Sequence, residues 1–330
     1  MIIPGATRRD HARLARQVSD PQGTDDLRAR TRRFILRAVT QQQVRDHARP
    51  PRRRRLRRFI VVVVALLGAG LGTAAGAHYT IRTRNFVDPT GPRFAGCCAT
   101  EPERSELRVV TFNIQYSVEI DGAIRLFKST PELRDADFVL LQEMDEDGVR
   151  RIADALSLRN YVYYPAAISR GNGRDFGNAI LSRWPLEDDR KVILPHPGFF
   201  DNMQRIAVRA TAQVGERRIR LYSVHLATMV EQSPGARADQ ARAVVADAEQ
   251  SLDPVIVAGD TNAPGMWKVF DAKGFTCVSR DLGGTRGMFS IDHVFARGLR
   301  LRPGPSRGVV RNHDEVSDHS PVWAVLSNHT

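Results

Sequence analysis

Residues 107–113 read LRVVTFN, an apolar run that stops at the polar residue Asn113. Four later runs have the same character: DFVLLQE (137–143) ends at Glu143, RIRLYSVHL (218–226) carries His225, DPVIVAGDTN (253–262) ends in Asp260 and Asn262, and SIDHVFA (290–296) carries Asp292. Continuous runs of Val, Ile and Leu predict strands that are buried on both faces. Segments of helix length, 145–158 and 235–250, lie between them. The alternation predicts a layered α/β domain over residues 105–326.

Polar side chains at strand ends are where such domains place their sites. Taken singly, each has a structural interpretation: Asn113 as a turn residue, Glu143 as a surface carboxylate, His225 as a core histidine. As a set, these residues offer carboxylate and amide oxygens, which are hard ligands that suit Mg²⁺, with Mn²⁺ or Ca²⁺ as alternatives. The sequence contains no CxxC or Cys/His cluster with zinc spacing, which argues against a structural zinc site.

The same segments resemble the endonuclease/exonuclease/phosphatase superfamily, which includes DNase I-like nucleases, inositol-polyphosphate phosphatases and neutral sphingomyelinases. Its motifs stand in family order: TFNI (111–114), LLQE (140–143), SVHL (223–226), GDTN (259–262), IDHVF (291–295) and SDHSPV (317–322). The resemblance covers most of residues 107–326 and implies a four-layered α/β/β/α sandwich of two mixed sheets flanked by helices. GNAILSRWP (177–185) also resembles a family segment, and we expect its role to be structural.

The metal site is expected around Glu143, because a carboxylate at a strand end is both rigid and charged. The resemblance implies that Asn113 and Asp318 complete or support the same ion. A divalent ion there would serve phosphoester hydrolysis by neutralising charge on the phosphoryl oxygens.

The catalytic roles are likewise those that the resemblance implies. Asp260 would orient and deprotonate the attacking water, and Asn262 would contact the phosphate. Asp292 would hold His319 in one tautomer, so that His319 donates to a nonbridging phosphate oxygen. His225 would be a second phosphate contact or the acid for the leaving group.

Arg205, in QRIAVRA, is a candidate for binding a substrate phosphate, with a surface arginine on a strand edge as the alternative. The long insertions by which nucleases grip a duplex are hard to find, since residues 185–204 form the only sizeable loop that the sequence indicates. Within that loop HPGFFDN (196–202) is a candidate for shaping a substrate pocket.

The net charge of +12 belongs to the N-terminus, because residues 1–58 contain seventeen arginines, no lysine and five aspartates. The remaining chain balances 32 basic against 32 acidic residues, so it has no net positive field for steering polyanions. Residues 1–58 are therefore predicted to be an Arg-rich tail.

Residues 59–77, FIVVVVALLGAGLGTAAGA, form a charge-free run long enough to cross a bilayer, with six arginines between residues 52 and 58 before it. The positive-inside rule predicts a single-pass anchor in the cell membrane with a cytoplasmic N-terminus and an exported domain. The alternative is a cleaved signal sequence ending at Ala75-Gly76-Ala77, which would make the protein secreted. Residues 78–104 are predicted to be a stalk.

The three cysteines, Cys97, Cys98 and Cys277, are too few for a disulfide framework. The sequence leaves two alternatives, one long-range bridge from the vicinal pair to Cys277 or three free thiols.

The sequence thus predicts a membrane-tethered, exported, metal-dependent phosphoesterase whose substrate is a phospholipid head group or a nucleic acid, with nucleic acid as a partner only in the sense of a substrate. The alternative from another class is a membrane-anchored binding module that kept the fold without catalysis. The sequence indicates no oligomeric state.

Overall fold

The computed structural model describes residues 83–168, 173–313 and 316–327. The strands in these ranges are β1 (Arg84–Asn85), β2 (Phe94–Gly96), β3 (Glu106–Asn113), β4 (Phe138–Met144), β5 (Asn160–Ile168), β6 (Asp175–Ser182), β7 (Leu186–Ile193), β8 (Ile206–Val214), β9 (Arg217–His225), β10 (Val255–Asp260), β11 (Thr276–Cys277), β12 (Asp292–Arg297), β13 (Arg300–Leu301), β14 (Arg307–Val309) and β15 (Val322–Ser327). The helices are α1 (Ile120–Ser129), α2 (Pro131–Arg134), α3 (Glu146–Leu156), α4 (Pro234–Ala248) and α5 (Trp267–Asp271).

Both sheets are mixed. The first has the order β1-β5-β6-β4-β3-β15-β13, with β2 also paired to β5 and β14 to β15, and its β3 and β4 are parallel. The second has the order β11-β12-β10-β9-β8-β7, with β9 and β10 parallel. The prediction of a mixed α/β domain with two mixed sheets is confirmed.

Alternate side chains of the central strands enter different cores, which explains their continuous apolar sequence. Leu107 and Val109 of β3 join residues of both sheets in one core. Val110 and Phe112 of the same strand pack with side chains of α1, α2 and α3 instead. The second sheet does the same, since its β10 and β12 contribute to the shared core and also to a third core with α4 and α5. Most residues of these strands are buried, so a polar side chain within them needs a hydrogen-bond partner.

The helices begin where the sequence provides capping groups. The Asp145 carboxylate accepts a hydrogen bond from Gly148 N at 2.8 Å and caps α3. Ser233 caps α4 in the same way, and Pro234 occupies the first helical position. The helix α3 therefore begins two residues after β4 ends, and α4 begins after the loop that follows β9.

Two sequence predictions need correction. The described part of the predicted stalk, residues 83–104, contributes β1 and β2, and both pair with β5 of the first sheet. The predicted loop over residues 185–204 contains β7, which pairs with β8, so the loop begins only after Ile193. Both segments were hard to recognise because they lie at sheet edges, where half-exposed strands need no apolar run.

The cysteines follow neither alternative. Cys97 and Cys98 are bonded to each other, while Cys277 is buried on β11 and has a free thiol.

The apolar run at residues 59–77, like the tail before it, lies outside the described residues. Within the described ranges, none of the helices combines the length and the apolar character that crossing a bilayer requires.

A buried polar bridge joins the two sheets beside the strand ends. The Asn178 amide on β6 donates to the carbonyl oxygens of Ile206 and Ser223, at 3.1 Å each. Gln142 on β4 donates to the Ser223 hydroxyl at 3.0 Å, and that hydroxyl donates to the Leu141 carbonyl at 2.9 Å. The bridge fixes the distance between the sheets next to the ends of β4 and β9.

Replacing Asn178 by Leu keeps a similar volume but removes two hydrogen bonds to the carbonyl groups of buried residues. We expect the free energy of unfolding to fall by about 2 kcal/mol or more, as measured by urea denaturation. Asn312→Leu is the matched control, because Asn312 is exposed and the same substitution there should change the stability by less than about 0.5 kcal/mol. Equal effects of the two substitutions would contradict a structural role for the bridge.

Candidate active site

The register of the second sheet brings three polar side chains together. Asp260, at the end of β10, is the pairing partner of His225 on β9 and of Asp292 on β12. Because β12 runs antiparallel to β10, Asp292 stands at the beginning of its strand and still reaches the same edge. The first sheet contributes Asn113 and Glu143 from the ends of its parallel strands β3 and β4.

Gly259 allows the close approach of β9 and β10. Its φ is +148°, and a Cβ atom there would lie 2.0 Å from the carbonyl oxygen of Val224. A side chain at this position would separate the strands just before Asp260 and His225.

The Glu143 side chain is aimed into the site by a local irregularity of β4. The pairing of β4 with β6 shifts between Leu141 and Met144, and Glu143 itself has a φ of +58°. Such a conformation is strained for a residue with a side chain, and a bulge of this kind turns a side chain away from its regular direction. Burial raises the pKa of the Glu143 carboxyl, although Arg205 and the hydrogen bond from Asn113 act to lower it.

Asn113 connects the two sheets at the site. Its Nδ2 donates to Glu143 Oε1 and to Asp260 Oδ2, at 3.1 Å in each case. Its Oδ1 accepts from Gln115 N at 3.1 Å, so this arrangement directs the amide donor, not the oxygen, toward the carboxylates. Burial and the nearby Asp292 charge raise the pKa of Asp260 to about 7.

Asp292 and His319 form a buried pair. His319 Nδ1 lies 2.9 Å from Asp292 Oδ2, and that oxygen also accepts from the Thr285 hydroxyl at 2.6 Å. The other ring nitrogen, Nε2, lies 3.6 Å from Asp260 Oδ2. Burial acts to lower the pKa of His319, but the charge and hydrogen bond of Asp292 outweigh it and raise the pKa to about 9.

His225 is held by a buried arginine. Arg205 Nη1 lies 2.9 Å from His225 Nε2, while Arg205 Nη2 donates to both oxygens of Glu231 at 2.7 and 2.8 Å. A guanidinium can only donate, so the imidazole accepts. Burial and the Arg205 charge lower the pKa of His225 well below its usual value, so His225 is neutral at pH 7. Arg205 is thus not the surface arginine of the alternative interpretation.

Two of the site residues predicted from the sequence, Asp318 and Asn262, lie at the margin of the cluster of buried carboxylates. Asp318 is partly exposed and pairs with Arg286 at 2.5 Å, although its charge acts to raise the pKa of both Glu143 and His319. The Asn262 side chain donates to the Leu226 carbonyl at 2.9 Å, and its backbone N–H donates to Asp260 Oδ1 at 2.7 Å. In this arrangement Asn262 positions Asp260.

The donor set fits a hard divalent cation. Glu143 and Asp260 are carboxylates whose charged form is disfavoured by burial, and a cation would offset that penalty. Asp260, Asp292 and His319 also place one ligand atom each within 4.8 Å of one another, but both oxygens of Asp292 already bind His319 or Thr285. We therefore regard the Glu143 side of the cluster as the better cation site.

Sequence reasoning missed three residues that support the site: Glu231 holds Arg205, Thr285 holds Asp292, and Ser317 donates to the Asn113 carbonyl at 2.7 Å. Ser317 opens the SDHSPV motif and could have been noticed there. Glu231 and Thr285 lie in loops without a local pattern, so no signal in the sequence pointed to them.

Comparison with known proteins identifies a family model described as "Endonuclease/Exonuclease/phosphatase family", which matches residues 110–319. No curated protein sequence matches the chain significantly. Among solved structures, an endonuclease/exonuclease/phosphatase from Beutenbergia cavernae has a TM-score of 0.54 at 20% identity and covers 68% of this chain and 72% of its own. D. rerio TDP2, complexed with single strand DNA product, has a TM-score of 0.52 at 17% identity, with 68% and 100% coverage. At such identities these structures support the fold alone.

The Asp292–His319 pair yields a direct test. Asp292→Asn removes the charge that raises the His319 pKa most, while Asp260 and Asp318 remain, so the pKa should fall from about 9 toward 6.5, as followed by NMR titration of its ring protons in metal-free protein. Because the folded state favours the protonated ring, this contribution to stability is full below pH 6.5 and is lost as the pH rises through about 9. Asp281→Asn, at a carboxylate with 85% side-chain exposure, is the charge-matched control and should leave the titration unchanged. An unchanged pKa in Asp292→Asn would refute the pairing.

Proposed function

The chain belongs to the endonuclease/exonuclease/phosphatase family, and we propose that its domain hydrolyses phosphoesters with the help of a divalent metal ion. The observation that carries the proposal is the contact network of Asn113, whose amide donates to both Glu143 and Asp260, while Asp260 Oδ2 lies 3.6 Å from His319 Nε2. This network combines carboxylates for a cation and for water activation with a donor for the phosphate.

Glu143 would hold the ion. Asn113 would support it through its hydrogen bond to Glu143 Oε1, and Asp318 through its negative charge near Glu143. Mg²⁺ is the proposed ion, and Mn²⁺ and Ca²⁺ are alternatives that the same oxygen donors would accept. When bound, the ion supplies charge neutralisation at the phosphoryl oxygens and at the leaving oxygen.

Asp260 is the proposed base. It is buried, its Oδ1 is oriented by the Asn262 N–H, and its pKa of about 7 suits a group that takes a proton from water near neutral pH. Asn262 is thus a positioning residue in this scheme, and a direct contact of its side chain with phosphate would require breaking its bond to Leu226.

His319 is the proposed donor to a nonbridging phosphate oxygen. Its Nδ1 is engaged by Asp292, and a pKa of about 9 keeps the ring protonated at neutral pH. His225, neutral and held by Arg205, is better suited to orient a phosphate by hydrogen bonding than to supply a proton to the leaving group.

The substrate is proposed to be a phosphodiester or phosphomonoester of a lipid head group or a nucleic acid. The alternative is a non-catalytic binding module. Such a module would have no need for a cluster that combines a base, an oriented imidazole and carboxylates for a cation. Release of nitrophenol from bis-p-nitrophenyl phosphate with Mg²⁺ would separate the two functions.

Glu143→Gln tests the metal. The substitution keeps the shape of the side chain but removes the charge that would hold the cation, so turnover of bis-p-nitrophenyl phosphate should fall by about a hundredfold or more. Glu216→Gln is the matched control: Glu216 is exposed before β9, at the opposite end of that strand from His225, and turnover should be unchanged. EDTA should abolish the activity and Mg²⁺ or Mn²⁺ should restore it, whereas full turnover in EDTA would exclude the metal role.

We also propose that residues 59–77 anchor the chain in the cell membrane, with the N-terminus in the cytoplasm and the domain outside, on the strength of the arginines that precede the run. A reporter fused after Thr330 should be active only outside the cytoplasm. Activity confined to the cytoplasm would refute this topology, and a soluble mature protein beginning at His78 would support the secreted alternative.

A further inference from the structure

Four large apolar side chains are exposed on two neighbouring loops. Phe199 and Phe200 are 80% and 53% exposed, and Met229 and Val230 are 55% and 76% exposed. We call these four residues the apolar rim. Single exposed apolar residues are common, but several gathered on adjoining loops indicate a binding surface.

The two loops of the apolar rim are tied to each other by hydrogen bonds. Phe199 N donates to the Glu231 carbonyl at 3.1 Å, and the Gln232 amide donates to the Pro197 carbonyl at 2.7 Å. The rings of Phe199 and Phe200 are in edge-to-face contact, with centroids 5.2 Å apart. The exposed side chains therefore belong to loops that are held in place by hydrogen bonds to each other.

The apolar rim is connected to the active site through one residue. Glu231, next to Val230, binds Arg205 through both carboxylate oxygens, and Arg205 contacts His225. A molecule or surface that contacts the apolar rim therefore lies close to His225 in the active site.

The described chain begins against the same loop. Thr83 N donates to the Asp201 carbonyl at 3.2 Å, and the Asn85 amide donates to the Asn202 carbonyl at 2.6 Å. Gln204 N in turn donates to Asn85 Oδ1 at 2.9 Å. Hydrogen bonds thus hold Thr83 and Asn85 to loop residues that lie one to three positions after Phe199 and Phe200.

Only five residues, 78–82, separate Thr83 from the end of the charge-free run at residues 59–77. From Ala77 to Thr83 a chain can span at most about 20 Å. If the run lies in a bilayer, the loop that holds Thr83 must lie near the membrane surface.

We propose that the apolar rim contacts the lipid surface and thereby turns the active site toward phosphate groups at the bilayer surface. This inference rests on the proposed membrane anchor and narrows the proposed substrate to phosphoesters of lipid head groups. Aromatic and aliphatic side chains beside a polar site are suited to the boundary between head groups and acyl chains. Stacking of Phe199 and Phe200 on the bases of a single-stranded nucleic acid is the competing use of such residues.

The test uses the full chain in phosphatidylcholine vesicles, with an environment-sensitive fluorophore on Phe199→Cys. The control position is Leu252→Cys, because Leu252 is fully exposed and precedes β10 at the end opposite Asp260. The unsubstituted chain, whose Cys277 is buried, gives the background labelling. Lipids brominated in the acyl chain should remove most of the emission at position 199 and leave that at position 252 unchanged.

Each outcome has a separate meaning. Failure of the chain to float with the vesicles would overturn both the anchor and the lipid-contacting rim. Flotation with equal quenching at the two positions would overturn the rim alone, as would a label at 199 that responds to a single-stranded oligonucleotide and not to lipid. Hydrolysis of bis-p-nitrophenyl phosphate in the same samples monitors the proposed phosphoesterase activity independently.

Discussion

Negative charge held away from water is the constraint on which the arrangement of this domain depends. Glu143, Asp260 and Asp292 stand close together at the ends of the two sheets, and burial raises the pKa of the first two. Around them, three neighbouring side chains supply compensating donors: the Asn113 amide, the Thr285 hydroxyl and the His319 ring. Without such donors, the buried carboxylates would become protonated or the structure around them would open to water. The negative charges that suit a cation therefore also require hydrogen-bond donors at the neighbouring positions of the fold.

The central strands could be predicted because their sequences carry the information locally. LRVVTFN and DPVIVAGDTN are apolar on both faces, and the structure shows that their alternate side chains enter two different cores. The edge strands could not be predicted, since Arg84–Asn85 and Leu186–Ile193 gain their structure from the strand beside them. The vicinal pairing of Cys97 and Cys98 likewise has no pattern that distinguishes it in the sequence.

The motifs predicted most of the residues that gather at the candidate site, but not the contacts that hold these residues in place. Motif positions suggested Asp292 and His319 as a pair, and the structure places them in contact. The left-handed backbone of Glu143 and the burial of Arg205 depend on how β4 meets β6 and on where Glu231 lies, which are properties of distant segments. Asn113 illustrates the same limit, because its position follows from the strand, whereas the direction of its amide follows from Gln115.

The pairing of β1 and β2 with β5 has a practical consequence for anyone who shortens this chain. A protein that begins at residue 105, the boundary that the apolar runs indicate, would lack both strands and expose the backbone of β5 along its length. It would also remove the Ala99 carbonyl from Asn160 and the Glu101 carbonyl from the indole of Trp184. Open strand edges pair with strands from other molecules, so the shortened protein would self-associate and precipitate. The low yield of soluble protein would then be mistaken for poor folding of the catalytic domain itself.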